Sequence, residues 1–359
     1  MTAEAEHLLQ APVYALPQAA KRAVLLPHLN ELNAHHDRHC PAFRRLRTAT
    51  KLPLQASDYT ELPMLATALF KHRQLSSIAS DTLYKTLTSS GTTGEASQIT
   101  LDRTTANLQS KALIKILQQF IGKQRLPMLI IDAPGVQHEQ THFTARSAGA
   151  LGLALAGRDH HYALTPEMQP DWAAIESFGE RYASHPVLLF GFTYMIWQYL
   201  LVPLNQANKT LYLPHGILFH SGGWKQLAHR AVDQATFDQH CKASLGIQRV
   251  HNFYGMAEQT GSIFIACEQG YLHAPVMADV LIRDRDTLAP LPHGQRGLIQ
   301  VFSGLPLSYP GHSLLTEDMG VCLGEDDCPC GRQGRYFQVH GRLANAPAKG
   351  CSDTFVRSD

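Results

Sequence analysis

Seven consecutive residues, Thr88, Ser89, Ser90, Gly91, Thr92, Thr93 and Gly94, are all hydroxyl side chains or glycines. Glycine lets successive backbone N–H groups turn toward one point, and short serine and threonine side chains add donors to the same concavity. Such a run is an anion cradle suited to the phosphates of a nucleotide. Three more groups carry chemistry downstream. In Tyr254-Gly255-Met256-Ala257-Glu258 an aromatic–glycine pair can lie against a flat base, and the glutamate can hold Mg²⁺. Asp318 follows an apolar stretch and has the two oxygens needed to accept both hydroxyls of a ribose. Gly341-Arg342 places a cation near the C-terminal end.

A second set of residues has the chemistry of a metal ligand shell. Cys267 and His273 are joined by a short Glu-Gln-Gly-Tyr-Leu link, and Cys328-Pro329-Cys330-Gly331 sets two thiols around one residue beside a turn-forming glycine. Together Cys267, His273, Cys328 and Cys330 make a closed, structural Cys₃His zinc site; the alternative is four ordinary buried side chains. Cys322 is a substitute ligand. The run His35-His36-Asp37-Arg38-His39-Cys40 has histidines at helical spacing but lacks the glutamate of the zinc-enzyme signature, and reads as helix-surface or interfacial histidines. His160-His161 has no partner near it in sequence. The aromatic stretch Phe190 to Trp197 reads as core packing.

These residues need a scaffold that brings loops together. Leu126 to Asp132, Pro186 to Gly191 and Gly216 to His220 are short apolar runs closed by turn residues, which predicts buried strands. Helical stretches such as Thr104 to Phe120 and Asp171 to Ala183 alternate with them. The alternation predicts an α/β fold with largely parallel strands, and in such sheets ligands sit where strands end. The polar loops 88–94, 220–223 and 251–258 fall at such ends. Leu25, Leu29 and Leu32 give residues 1–80 a helical period, and beyond Tyr271 short strands sit among frequent glycines and prolines. The expected organisation is a helical segment of the main domain over 1–80, an α/β nucleotide- and acyl-binding core over 81–270, a β-rich subdomain with the metal ligands over 271–342, and a short tail over 343–359.

The chain of 359 residues with 44% apolar content can bury a substantial core, as one large or two medium domains. A formal net charge of +1 argues against a nucleic-acid partner or a membrane surface. The greasy run from Val187 to Leu204 is broken by Gly191, Thr193, Gln198 and Pro203, so it reads as a buried element. The acidic N-terminus lacks the basic start of a signal peptide. Seven unevenly spread cysteines fit a reducing cytoplasm better than a disulfide framework.

Ser90-Gly91-Thr92-Thr93-Gly94, Tyr254-Gly255-Met256-Ala257-Glu258, Asp318 and Gly341-Arg342 stand in the order used by the acyl-adenylate-forming (ANL) superfamily. Within it the chain most resembles the LuxE-type acyl-protein synthetase family, with features of phenylacetate-CoA-ligase-like members, some of which carry zinc on a similar pattern. Lys85 through Gly94, Phe219-His220-Ser221-Gly222-Gly223-Trp224-Lys225, Tyr254 to Gln259 and Gly350-Cys351-Ser352-Asp353 carry that resemblance. It implies the large N-terminal domain of the adenylate-forming fold: mixed and parallel sheets flanked by helices, plus a smaller β-rich part.

The resemblance also implies roles. Thr88 to Gly94 would hold the β- and γ-phosphates of ATP and then pyrophosphate. Ser221, Gly222 and Gly223 would line the adenine pocket with Tyr254 against the base. Glu258 would bind Mg²⁺, Asp318 the ribose, and Arg342 would sit near the ribose and α-phosphate. The reaction implied is activation of a fatty or aromatic carboxylic acid to acyl-AMP, then transfer to a thiol of a protein, carrier protein or CoA. A reductase or transferase partner belongs to the same implication. Cys351 would be the thiol that takes the acyl group; equally, it is a small residue in a turn. Two departures stand out. Glu95-Ala96-Ser97 replaces the usual Gly-x-Pro-Lys continuation, so Ser97 stands where a lysine is usual. The chain ends soon after Arg342, where larger relatives continue into a lid domain, so that domain is expected to be absent. An acyl- or aryl-CoA ligase, or a carrier-protein adenylation enzyme, is the rival within the class. A non-catalytic nucleotide-binding partner subunit is the rival outside it.

Overall fold

The computed structural model describes residues 2–88, 96–135, 145–224 and 231–343, the side chains of 2 and 145–148 excepted. The chain divides into two units, one formed by Met1–Ile116 with Gly255–Pro347, the other by Leu117–Tyr254. In the first unit the N-terminal helices pack with the C-terminal strands, as where His28 meets the Gly304 carbonyl.

The Leu117–Tyr254 unit is a parallel sheet. Its strands run in the order Arg249–Tyr254, Gly216–Ser221, Val187–Phe192, Leu126–Ile130, Gly157–Tyr162, and every neighbouring pair is parallel. All six residues of Val187–Phe192 and all six of Gly216–Ser221 are buried. That is why these segments read as unbroken apolar runs: a central parallel strand is covered on both faces. Helices Trp172–Tyr182 and Gln234–Leu245 supply Ile175, Phe178, Phe237 and Leu245 to the core around Leu189 and Leu218. Both helices start at a capping aspartate: Asp171 accepts from the Ala174 N–H and Asp233 from the Thr236 N–H. The second ends at Gly246 with φ of 66°, a left-handed cap that a side chain would strain. The greasy run after Val187 is thus one buried strand followed by the short helix Thr193–Ile196 and a π-helical turn, Trp197–Leu201. Among the described residues no helix is long and apolar enough to cross a membrane.

The other unit is built on antiparallel strands in the order Ala278–Arg283, Arg296–Ser303, Ser313–Glu325, Arg335–Arg342, Leu272–His273, Phe264–Ala266. Leu65–Ala66 adds a parallel partner to Ser313–Glu325. Helix Gln18–His39 buries Leu25, Leu29 and Leu32 as the period predicted, but also Lys21, His28, Asn33 and His36. These polar residues are tolerated inside because their heads find partners. His28 Nε2 meets the Gly304 carbonyl at 2.8 Å, and Asn33 donates to the Leu54 carbonyl at 2.6 Å. Lys21 lies 3.5 Å from the fully buried Asp279.

Candidate functional site

In the parallel unit, the candidate residues sit at the C-terminal ends of neighbouring strands. Ser221 closes its strand and is in register with Phe253, next to Tyr254, on the adjacent strand. Gly222 then takes φ of +82°, and a Cβ there would stand 3.2 Å from the Phe192 ring, so the turn favours glycine. Trp224 lies across Trp197 with ring centres 5.5 Å apart. Beneath the turn, His220 is fully buried and held on both nitrogens, Nδ1 at 2.9 Å from Thr193 Oγ1 and Nε2 at 3.1 Å from Gln234 Nε2. His220 belongs to the run Phe219 to Lys225 that carries the resemblance, but the sequence gives it no role of its own. Strand alternation turns it to the opposite side from Ser221.

In the other unit, Glu258 sits in a short 3₁₀ turn and is buried. Burial pushes its carboxyl above the ordinary range; a hydrogen bond with Ser97 and the charges of Lys71 and Arg342 pull the other way. Ser97, at the position where a lysine is usual, is buried and lies near enough to the predicted Mg²⁺ ligand to favour its charged form. Arg342 Nε donates to Asp318 Oδ1 at 3.2 Å, across paired strands. Thr316 Oγ1 accepts from the Asp318 N–H at 3.1 Å and donates to the Ile299 carbonyl at 2.8 Å, which steadies that strand where its register shifts. Arg342 thus pairs with Asp318, and its charge also reaches Glu258. Thr88 ends the strand Lys85–Thr88 and pairs with Gln98. Ser89, Ser90, Gly91, Thr92, Thr93, Gly94 and Cys351 lie outside the described residues. Two surface cavities of this unit, of about 610 and 400 Å³, hold none of the predicted site residues.

The same unit gathers Cys267, His273, Cys328 and Cys330, whose ligand atoms all lie within 4.8 Å of one another. Two turns present them. The Gly270 N–H donates to the Cys267 carbonyl, and the Gly331 N–H to the Cys328 carbonyl, both at 2.9 Å. The sulfurs of Cys267 and Cys328 are 3.9 Å apart, and Cys330 Sγ is 3.3 Å from His273 Nε2. A tetrahedral ion with Zn–S bonds of about 2.3 Å sets S···S edges of about 3.8 Å, so the donor set fits zinc. Burial pushes the Cys328 thiol up to about 12 and, with the charges of Arg332 and Lys21, pushes His273 down to about 4. Burial also opposes ionisation of Cys330, but hydrogen bonds from Arg332 overcome it and hold that thiol below its ordinary value. Cys322, the substitute ligand, is not in the group; its sulfur faces the Gly324 carbonyl at 3.8 Å. The histidine run on the N-terminal helix is not a metal cluster among the described residues. His36 binds Ser77 Oγ at 2.8 Å and the Pro306 carbonyl at 3.0 Å, and stacks on His312.

Comparison with known proteins places these features in a family. The family model described as acyl-protein synthetase, LuxE, matches residues 4–358. The long-chain-fatty-acid–luciferin-component ligase of Vibrio harveyi is 22% identical over 315 residues, covering 82% of this chain and 77% of that protein. Its counterpart from Aliivibrio fischeri is 21% identical over 301 residues, covering 81% and 77%. Among solved structures, 2-hydroxyisobutyryl-CoA ligase in an open conformation, in complex with 2-HIB-AMP and CoA, matches with a TM-score of 0.72 at 16% identity. That match covers 94% of this chain and 79% of the other. The same ligase in its thioesterification state gives 0.73 at 17% identity, covering 92% and 70%. The fold is therefore that of the adenylate-forming ligases. With the family match spanning nearly the whole length, this chain belongs to the LuxE acyl-protein synthetases, a family of ligases.

Proposed function

We propose that the protein activates a long-chain carboxylic acid with ATP, releases pyrophosphate, and passes the acyl group to a thiol, first that of Cys351. The observation that carries this reading is the grouping of Glu258, Asp318 and Arg342: Arg342 is hydrogen-bonded to Asp318 and its charge acts on Glu258. A carboxylate attacking a phosphate is repelled by like charge, so a site for this reaction must gather cations at the phosphates and fix the line of attack. Arg342 supplies one cation near the α-phosphate. Glu258 would hold Mg²⁺, which neutralises phosphate charge when bound. A buried carboxylate with a raised pKa is a natural ligand for it, because the ion offsets the burial penalty. Asp318, oriented by Arg342, would accept the ribose hydroxyls. Ser221, Gly222, Gly223 and Tyr254 would receive the adenine, and Thr88 to Gly94 the outgoing pyrophosphate.

The chemistry balances without an outside reagent. The acid's oxygen forms a bond to the α-phosphorus while the bond to pyrophosphate breaks. The resulting mixed anhydride is then opened by a thiolate at its carbonyl carbon, with AMP leaving. Among the described cysteines, Cys40, Cys241, Cys267, Cys322 and Cys328 are buried, and Cys330 belongs to the Cys₃His group. This supports Cys351 as the accepting thiol. A long acyl chain is supported by the fatty-acid ligases among the relatives.

Cys267, His273, Cys328 and Cys330 would hold one zinc ion in a structural role, since all four tetrahedral positions are filled by protein. Elemental analysis of the pure protein tests this, with about one zinc per chain expected and none contradicting it. The activation step is tested by pyrophosphate exchange into ATP over a panel of acids; exchange should require long-chain acids, and none with any acid would sink the reading. Intact mass after incubation with acid and ATP tests the acceptor. One acyl group should appear on the wild type and be lost on Cys351→Ser; equal labelling of the two would remove Cys351 from the account.

A further inference from the structure

The strand end that leads into Gly222 is controlled by a hydrogen-bond chain whose direction can be worked out from one charge. Asp238, as a carboxylate, only accepts. Gln234 must therefore turn its amide nitrogen, not its oxygen, toward Asp238 Oδ1, at 2.7 Å. The same nitrogen has a second hydrogen, and it points at His220 Nε2 at 3.1 Å. His220 Nε2 is thus the acceptor, and the ring proton sits on Nδ1. Nδ1 is 2.9 Å from Thr193 Oγ1, so it donates there. The Thr193 hydroxyl proton is left free to donate to the Ser221 carbonyl at 3.2 Å. Each link has one sense that avoids two acceptors facing each other. Burial keeps the ring neutral, pushing its pKa down to about 3, with His251 adding to the effect.

Ser221 is the last residue of its strand, and the next residue, Gly222, has φ of +82°. A carbonyl tied at that point sets the plane of the peptide that enters the glycine turn. We propose that His220 is a positioning residue: as the Nδ1–H tautomer it carries the orientation imposed by Asp238 and Gln234 through Thr193 to the Ser221 carbonyl, and so holds the turn in the shape that receives the adenine of ATP. The inference rests on the nucleotide reading of Ser221 to Gly223 given above. It makes a histidine with no access to the reacting atoms a determinant of ATP affinity.

The asparagine amide nitrogen stands where histidine Nδ1 stands, and the glutamine one where Nε2 stands. His220→Asn therefore keeps the donor to Thr193, whereas His220→Gln and His220→Leu lose it. We expect the ATP KM to rise about tenfold in His220→Leu and His220→Gln, from the loss of one buried hydrogen bond. It should return to within about threefold of wild type in His220→Asn, with kcat and the KM for the acid little changed in all three. Because a buried substitution can unfold the protein, Gln234→Leu at an exposed position is the second variant, and it should raise the ATP KM in the same direction. An equal effect of the asparagine, glutamine and leucine variants, or a loss of kcat and acid affinity alongside ATP affinity, would overturn the proposal.

Nitrogen-15 NMR of histidine-labelled protein reads the tautomer without turnover. His220, assigned by its loss in His220→Asn, should show a protonated Nδ1 and an unprotonated Nε2; the opposite tautomer overturns the relay. If the wild type binds no ATP by titration of tryptophan fluorescence, the nucleotide reading fails and the positioning role with it. The tautomer result still decides whether the relay exists.

Discussion

The two units solve opposite problems with their polar groups. Among its described residues the parallel unit buries one charged side chain, Asp132, and otherwise neutral ones; its central strands Val187–Phe192 and Gly216–Ser221 are buried throughout, and its candidate contribution is a glycine turn and an aromatic ring at strand ends. The antiparallel unit buries charge. Lys21 and Asp279, Glu258, and the Cys₃His group all lie inside it. The contrast teaches that under the proposed roles Glu258 and the Cys₃His group would be held where desolvation opposes their charge until a ligand arrives, while the groups proposed to meet a flat base are held by backbone geometry.

The contrast breaks most visibly at Glu258. Glu258→Gln keeps the shape and removes the charge; pyrophosphate exchange should fall by about 10²–10³-fold, as for loss of one aligned electrostatic contact. Its thermal stability should hold or rise, because a carboxylate whose pKa is raised by burial disfavours folding when ionised. A drop in stability with exchange intact would show Glu258 to be structural. Leu189→Ala is the converse probe in the parallel unit. The side chain is fully buried, so its removal should cost about 2–5 kcal/mol in denaturant unfolding, and the folded fraction should retain its exchange rate per molecule. A loss below about 1 kcal/mol would mean the strand is not at the centre of that core.

Metal removal sharpens the comparison further. A chelator strong enough to strip zinc should lower the melting temperature of wild type, whereas Cys328→Ser, already without metal, should be insensitive to it. A wild type unaffected by chelation would contradict the zinc reading. The pH response is smaller. His312 and His220 are fully buried and both are pushed down to about 3 by burial. Their folded values lie below the unfolded value near 6.5, so the unfolded state binds more protons and stability falls as pH drops below that point. Each contributes a slope of about 1.4 kcal/mol per pH unit between roughly 6.5 and 3. Denaturant melts at pH 7 and pH 5 measure it, and equal stabilities would refute the neutral burial of these rings. Smallest of all, Asp318→Asn should change stability by less than about 1 kcal/mol, since its pair with Arg342 is partly exposed. Its effect should fall on the ATP KM.

Legibility in the sequence follows the same divide. The parallel strands at Leu126, Val187 and Gly216 could be read directly, because full burial leaves continuous apolar runs. The N-terminal helix was legible only through its leucines. The burial of His28 and Lys21 has no signal in the sequence, because the carbonyls that receive them, Gly304 and Ala274, lie hundreds of positions away. The cysteine and histidine spacing marked the metal group, with Cys328 and Cys330 in it and Cys322 only as a substitute, and the same four side chains come together in the fold. The influence of Ser97 on Glu258 was invisible, since the sequence shows only that a lysine is missing there. The relay through His220 was hidden for a different reason: Thr193 opens one helix and Gln234 and Asp238 share another, both separate from the strand that carries His220, and none of the three belongs to a motif.

The central claim is that the acid's oxygen attacks the α-phosphorus of ATP. The most direct measurement uses a long-chain acid labelled with oxygen-18 in its carboxylate, turned over with ATP and Mg²⁺. Opening the acyl-AMP at its carbonyl carbon leaves that oxygen on AMP, so one labelled oxygen should appear in AMP and none in inorganic phosphate or pyrophosphate. Label in inorganic phosphate would place the attack on the terminal phosphorus and contradict the account, as would AMP formed without label.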